Sequence, residues 1–102
     1  MPNGNGEPAK LVVRWLPRAQ ESFIQTIDHI ARQDAGSAAL IVERVRKAVA
    51  ILAHQPGIGT PTVRAGTWRF PVPRTGHVIA YQVEKGELRI VRWSRQRRRR
   101  PA

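Results

Sequence analysis

Pro56-Gly57-Ile58-Gly59-Thr60-Pro61 divides this chain into two halves of different character. Two prolines and two glycines packed so closely cannot continue a helix. Upstream of them apolar residues recur at helical spacing: Ala38, Val42, Val45, Val49 and Leu52 follow one another at intervals of 4, 3, 4 and 3. Ile41 and Ala48 widen that stripe, while Glu43, Arg44, Arg46 and Lys47 lie off it. Downstream the pattern turns to alternation, the mark of half-buried strands.

Working outward from that break, the helical half begins with a short β-rich run, Leu11-Val12-Val13-Arg14-Trp15, read as a first strand. Leu16-Pro17 ends it, and proline suits the first turn of a helix because its missing N–H has no partner there anyway. Ala19, Phe23, Ile27 and Ile30 then mark one face of a helix ending near Gln33. Asp34-Ala35-Gly36 reads as a turn, with Gly36 available for a left-handed cap and Ser37 capping a second helix. So short a connection predicts an antiparallel helical hairpin.

In the strand half, Trp68, Phe70 and Val72 share one side of a strand, and Arg69 points the other way. Pro73-Arg74-Thr75-Gly76 is a turn. His77 to Glu84 is the most strand-like segment, with Ile79, Tyr81 and Val83 on one face. Lys85-Gly86 makes a tight hairpin turn, although the preferred Asn or Asp before Gly is absent. Leu88 to Trp93 is the last strand. The order is β-α-α-β-β-β, which predicts an α+β domain: a helical hairpin on one face of a small, curved, largely antiparallel sheet. Residues 1–10 read as a disordered leader, 11–96 as the folded domain and 97–102 as a basic tail.

Composition narrows the function. The chain has 102 residues, enough for one domain. It has no cysteine, which excludes a disulfide scaffold, a thiol nucleophile and a cysteine-ligated metal, and fits a reducing, cytoplasmic compartment. No signal peptide or membrane span is legible. Lys+Arg is 18 against Asp+Glu 7, a formal net charge of +11. Only Lys10, Lys47 and Lys85 among those cations are lysines, and arginine pairs bidentately with carboxylate or phosphate. The excess therefore points to an anionic partner. A GC-rich genome explains part of the arginine-to-lysine ratio but not the scarcity of acids.

Candidate chemistry is sparse. Arg92 to Arg100 holds six arginines and no acid, the pattern of a phosphate- or acid-binding arm, or of a solvated tail. Arg64, Arg69, Arg74 and Arg89 form a second basic set, and Arg69 and Arg92 share an open sheet face if the register allows. His29, His54 and His77 have no metal-ligand spacing, so neither metal nor cofactor is expected. Glu43 belongs to an exposed i,i+3/i+4 charge set. Ser22, Ser37 and Ser94 lack a nucleophile-elbow context. The Pro56–Pro61 loop lacks the Lys-Ser/Thr pair of a phosphate loop.

Five segments in this order resemble the RelE/ParE superfamily of bacterial type II toxins, over nearly the whole chain from Val12 to about Arg98. Val13-Arg14-Trp15-Leu16-Pro17-Arg18-Ala19 resembles the family's entry into its first helix. Leu52 through Gly59 is similar to its L-x-x-x-P-x-x-G exit from the second. Trp68-Arg69-Phe70-Pro71-Val72, Val78 to Val83, and Ile90-Val91-Arg92-Trp93 followed by Arg95-Gln96-Arg97 resemble its remaining strands.

That resemblance implies one of two activities on one fold. RelE-type members cleave mRNA on the ribosome, and in that case Arg69, Tyr81 and Arg92 are the expected catalytic set. ParE-type members poison DNA gyrase without an established nuclease site. Ser94 stands near where many relatives carry histidine, and no other histidine is expected nearby to replace it. Arginine is a poor proton acceptor or donor, so the ParE side is favoured. Arg69, Arg92, Ser94, Arg95 and Arg97 are then the expected target-binding residues, and Arg64, Arg74 and Arg89 the expected antitoxin-binding ones. The expected partner is an acidic antitoxin, through which alone the chain meets operator DNA. A plain nucleic-acid-binding module is the third reading.

Overall fold

The computed structural model describes residues 10–96, so the leader, the basic tail and the target-binding assignment of Arg97 lie outside the described residues. The elements are β1 (Val12–Trp15), α1 (Pro17–Gln33), α2 (Ala35–His54), a single 3-10 turn (Pro56–Ile58), β2 (Thr60–Pro61), β3 (Trp68–Val72), β4 (His77–Glu84) and β5 (Glu87–Arg95). The five strands form one sheet in the order β1-β5-β4-β3-β2. β1 runs parallel to β5 and every other pairing is antiparallel. Two helices on one mixed sheet make the α+β architecture that the patterning predicts. The short strand β2 is new: Thr60 and Pro61 read as part of a loop, but pair with Arg69 and Trp68 at the sheet edge, where a proline's missing N–H is tolerated.

Pro17 occupies the first turn of α1, as expected. The hairpin corner differs from expectation. Asp34, not Ser37, caps α2: its carboxylate accepts from the Gly36 N–H at 3.0 Å and the Ser37 hydroxyl at 2.8 Å. Gly36 therefore lies inside the first turn of α2 and not in a left-handed cap. Asp34 also closes α1, donating its N–H to the Ile30 carbonyl at 2.8 Å. One residue thus ends one helix and starts the next, because its extended backbone (φ -161°, ψ 105°) breaks the helix and leaves its carboxylate facing the orphan amides. Those two hydrogen bonds hold the Asp34 carboxyl below its ordinary pKa.

The core is built from Ala19, Val45, Leu52, Val72, Ile79, Tyr81, Leu88, Ile90 and Trp93. Trp15, Phe23 and Trp93 bridge α1 to the sheet, with ring centroids 5.1 Å and 4.9 Å apart. The Trp93 indole N–H donates to Thr26 Oγ1 at 3.0 Å, which satisfies the one polar atom of that buried ring. In the β4–β5 turn, Lys85 and Gly86 both adopt positive φ (50° and 78°), the conformation of the tightest hairpins.

One irregularity decides where the arginines point. Ala80 pairs with Arg92 and Tyr81 pairs with Ile90, so Val91 has no partner and the strand bulges. Strict alternation from Leu88 and Ile90 sends Arg92 toward the helices. The bulge resets the phase, burying Trp93 beside Ile90 and leaving Arg92 exposed.

Candidate functional site: an arginine row on the open sheet face

Arg69, Ala80 and Arg92 stand in one row across β3, β4 and β5. Directly paired residues point to the same side of a sheet, so all three side chains face away from the helices. The two arginines lie two strand spacings apart, about 10 Å, with the small Ala80 between them. Both are exposed, and among the described residues neither forms an ion pair. The bulge and the register together thus place Arg69 and Arg92 on one surface. Two guanidinium forks over a small residue make a surface suited to carboxylate or phosphate oxygens.

A second set occupies the same face beside that row. Arg89 donates to Glu84 at 2.9 Å and to Glu87 at 2.8 Å, and Arg14 stands 3.9 Å from Glu87. The hydrogen bond from Arg89 holds the Glu87 carboxyl below its ordinary pKa, with Arg14 adding attraction, and the same bond raises Arg89. Arg89 is thus engaged by two carboxylates, which removes it as a free cation for an antitoxin. Arg64 and Arg74 lie in loops at opposite ends of β3, so the three expected antitoxin-binding residues do not form one patch. Arg74 adopts φ 62°, with its carbonyl held by Arg44 at 3.0 Å.

Tyr81 is a structural residue. It is fully buried, and its hydroxyl donates to the Pro56 carbonyl at 2.6 Å and accepts from the Gly59 N–H at 3.0 Å. Burial raises the phenol above its ordinary value. With both hydrogen-bonding capacities engaged and no access to solvent, it has nothing to offer a substrate, which corrects its place in the nuclease set. Gly59 belongs to the same clamp: a Cβ there would collide with the Tyr81 hydroxyl and stand 2.9 Å from the Arg69 carbonyl oxygen.

Arg95 separates from Arg92. It pairs with His77 and lines a cleft against α1, on the helix side of the sheet. Ser94 borders that cleft, but its pairing with Val78 turns its side chain to the open face, on the same side as Arg92. The expectation that no histidine stands near Ser94 is overturned, because His77 lies directly across from Arg95. It was missed because the two positions meet only through strand register. Yet His77 faces the helix side, so no histidine joins the Arg69–Arg92 row. No cluster of His, Asp and Glu among the described residues gathers to hold a metal ion.

Residues 13–100 match the family described as the ParE toxin of the type II toxin–antitoxin system parDE. The chain belongs to the ParE toxin family. Two solved structures share the fold of this ParE-family chain. One is the chromosomal ParDE system of P. aeruginosa, with a TM-score of 0.76 and 20% identity over 86% of this chain and 98% of the other. Another is the RelBE2 toxin–antitoxin complex of Mycobacterium tuberculosis, with a TM-score of 0.59 and 20% identity over 86% of this chain and 100% of the other. At that identity the likeness shows the fold alone. No curated protein sequence matches. Among the described residues no helix of this ParE-family chain is long and apolar enough to cross a membrane.

Proposed function

We propose that this ParE-family chain arrests growth in the bacterial cytoplasm by binding DNA gyrase, and that an acidic antitoxin silences it. The observation that carries this reading is the Arg69–Arg92 row. It offers two exposed cations and no residue able to move a proton, which suits gripping a partner and not cleaving one. Ser94, on the same face as Arg92, and Arg95, on the helix side at the end of β5, extend the contact surface. The test is a supercoiling assay with purified toxin and gyrase. Inhibition that an Arg69→Ala, Arg92→Ala double variant abolishes supports the proposal; unaffected gyrase at excess toxin refutes it.

The antitoxin's seat in this proposal is the groove between β1, α1 and α2, of about 450 Å3. Val13, Trp15, Phe23 and Ile24 give it an apolar lining, Lys10 and Arg46 its cationic rim, and no carboxylate lines it. Ile24 is 56% exposed and leaves an apolar edge on the groove for a partner to cover. An amphipathic acidic segment would match both the groove and the +11 charge.

A ribosome-dependent mRNA endonuclease is the second reading. The spacing of Arg69 and Arg92 over Ala80 favours it, since a backbone phosphate fits between two such forks. Primer extension on translated mRNA checks this: new cleavage ends in arrested cells support it, and intact transcripts exclude it.

A further inference from the structure

A cleft of about 460 Å3 lies between α1 and the end of the β4–β5 ladder, around the sheet edge from the arginine row. Its ionisable lining is His29 from α1, His77 from β4 and Arg95 from β5, with Ser94 beside them and no carboxylate. Asp28 and Arg32, next along α1, pair with each other at 3.0 Å and stay outside the cleft. An arginine beside two imidazoles, with no carboxylate among them, makes a lining that favours an anion.

The cleft is built with defined donors. The His77 ring stacks on Trp93 with centroids 4.7 Å apart and planes 8° from parallel. His77 Nδ1 lies 2.9 Å from the Thr75 carbonyl. A carbonyl only accepts, so Nδ1 carries the proton, and Nε2 is the ring nitrogen without a protein partner among the described residues. The Trp93 indole N–H is engaged by Thr26, which fixes the plane on which His77 rests. Stack and carbonyl together hold the imidazole in one orientation. When neutral its Nε2 has only a lone pair to present; once protonated it offers an N–H.

We propose that this cleft is a phosphate site for a phosphomonoester of mononucleotide size, gripped by the Arg95 fork and, when its ring carries both protons, by the His77 Nε2–H. His29 stands on the opposite wall, its Nε2 3.5 Å from Gln33 Nε2. The site is separate from the Arg69–Arg92 surface, and it stands or falls independently of which target the toxin poisons.

The experiment is an NMR titration of the full chain with adenosine monophosphate, inorganic phosphate and sulfate. Binding is expected to shift the Trp93 indole N–H and the His77 ring signals. Arg95→Gln, at an exposed position, is expected to weaken binding about tenfold or more. His77→Phe keeps a ring on Trp93 but removes Nε2, and is expected to weaken binding several-fold. Arg69→Ala is expected to leave all of these titrations unchanged.

Three results overturn the proposal. In one, no probe binds, or Arg95→Gln titrates like the parent while its amide spectrum shows a native fold. In another, Arg69→Ala abolishes binding, which moves the anion to the open face. In the third, a single-stranded oligonucleotide binds but adenosine monophosphate does not, which makes the surface a nucleic-acid track.

Discussion

Replacing Tyr81 with phenylalanine tests whether the clamp that joins the helical half to the sheet is as important as its geometry indicates. The change keeps the buried ring and removes only the hydroxyl that donates to Pro56 at 2.6 Å and accepts from Gly59 at 3.0 Å. Both backbone partners are half-buried, so water reaches them in part and each lost hydrogen bond costs about 1 kcal/mol. The expected loss is about 2 kcal/mol in total, against a stability on the order of 5–10 kcal/mol for a domain of this size. Thermal melting should fall by about 8–16 °C. Urea denaturation followed by circular dichroism checks it, with the slope against denaturant unchanged. Alkaline pH supplies an independent signature. Burial raises the folded-state phenol above its ordinary 10.0. The phenol's contribution is therefore complete below that value and is lost as pH rises through the folded value, because the unfolded chain ionises first. Tyr81→Phe should lack that part of the alkaline loss. A variant within about 0.5 kcal/mol of the parent refutes the clamp, and so does a stable variant that has lost its toxicity.

Other perturbations follow from the same structure. Gly59→Ala should destabilise the chain and lower its melting temperature, because the added Cβ meets the Arg69 carbonyl at 2.9 Å as well as the Tyr81 hydroxyl. Asp34→Ala should also lower the melting temperature. Its carboxyl is held below the ordinary value, so the contribution is present above that value and is lost as pH falls through the folded one; acid melts should show the gap between variant and parent closing. Arg69→Ala with Arg92→Ala should abolish growth arrest while the melting temperature stays within about 3 °C, since both side chains are exposed and free of ion pairs among the described residues. Ile24→Glu should prevent co-purification with the antitoxin yet leave growth arrest intact when the chain is expressed alone, as it alters only the proposed groove.

What the sequence could and could not disclose follows from which interactions are local. The helical stripes were legible because their periodicity is carried by neighbours three and four apart, and the Pro56–Pro61 break because proline and glycine act on their own backbone. Pro56, Gly59 and Tyr81 looked like separate family marks; in the fold they are parts of one hydrogen-bonded clamp, which explains why a tyrosine at that place is structural. The corner cap was misplaced because Asp34 and Ser37 are both good caps, and only the backbone angle at Asp34 chooses between them.

Register was the larger gap. Alternation says which residues share a face of one strand, but not which residues of two strands face each other. The unpaired Val91 is the case in point. Leu88, Ile90 and Trp93 are spaced two and then three apart, and three apolar positions can share one face with that spacing only if the strand carries an extra residue. That irregular interval was a signal available in the sequence, and it sends Arg92 to Arg69 and Arg95 to His77. The same extra residue thus divides the C-terminal arginines between an open surface without proton-transfer groups and a helix-side cleft that has them. A single face holding all four residues would have joined phosphate-gripping cations to a titratable base, the minimum for a nuclease. Their separation is the physical reason to expect this toxin to work by grip.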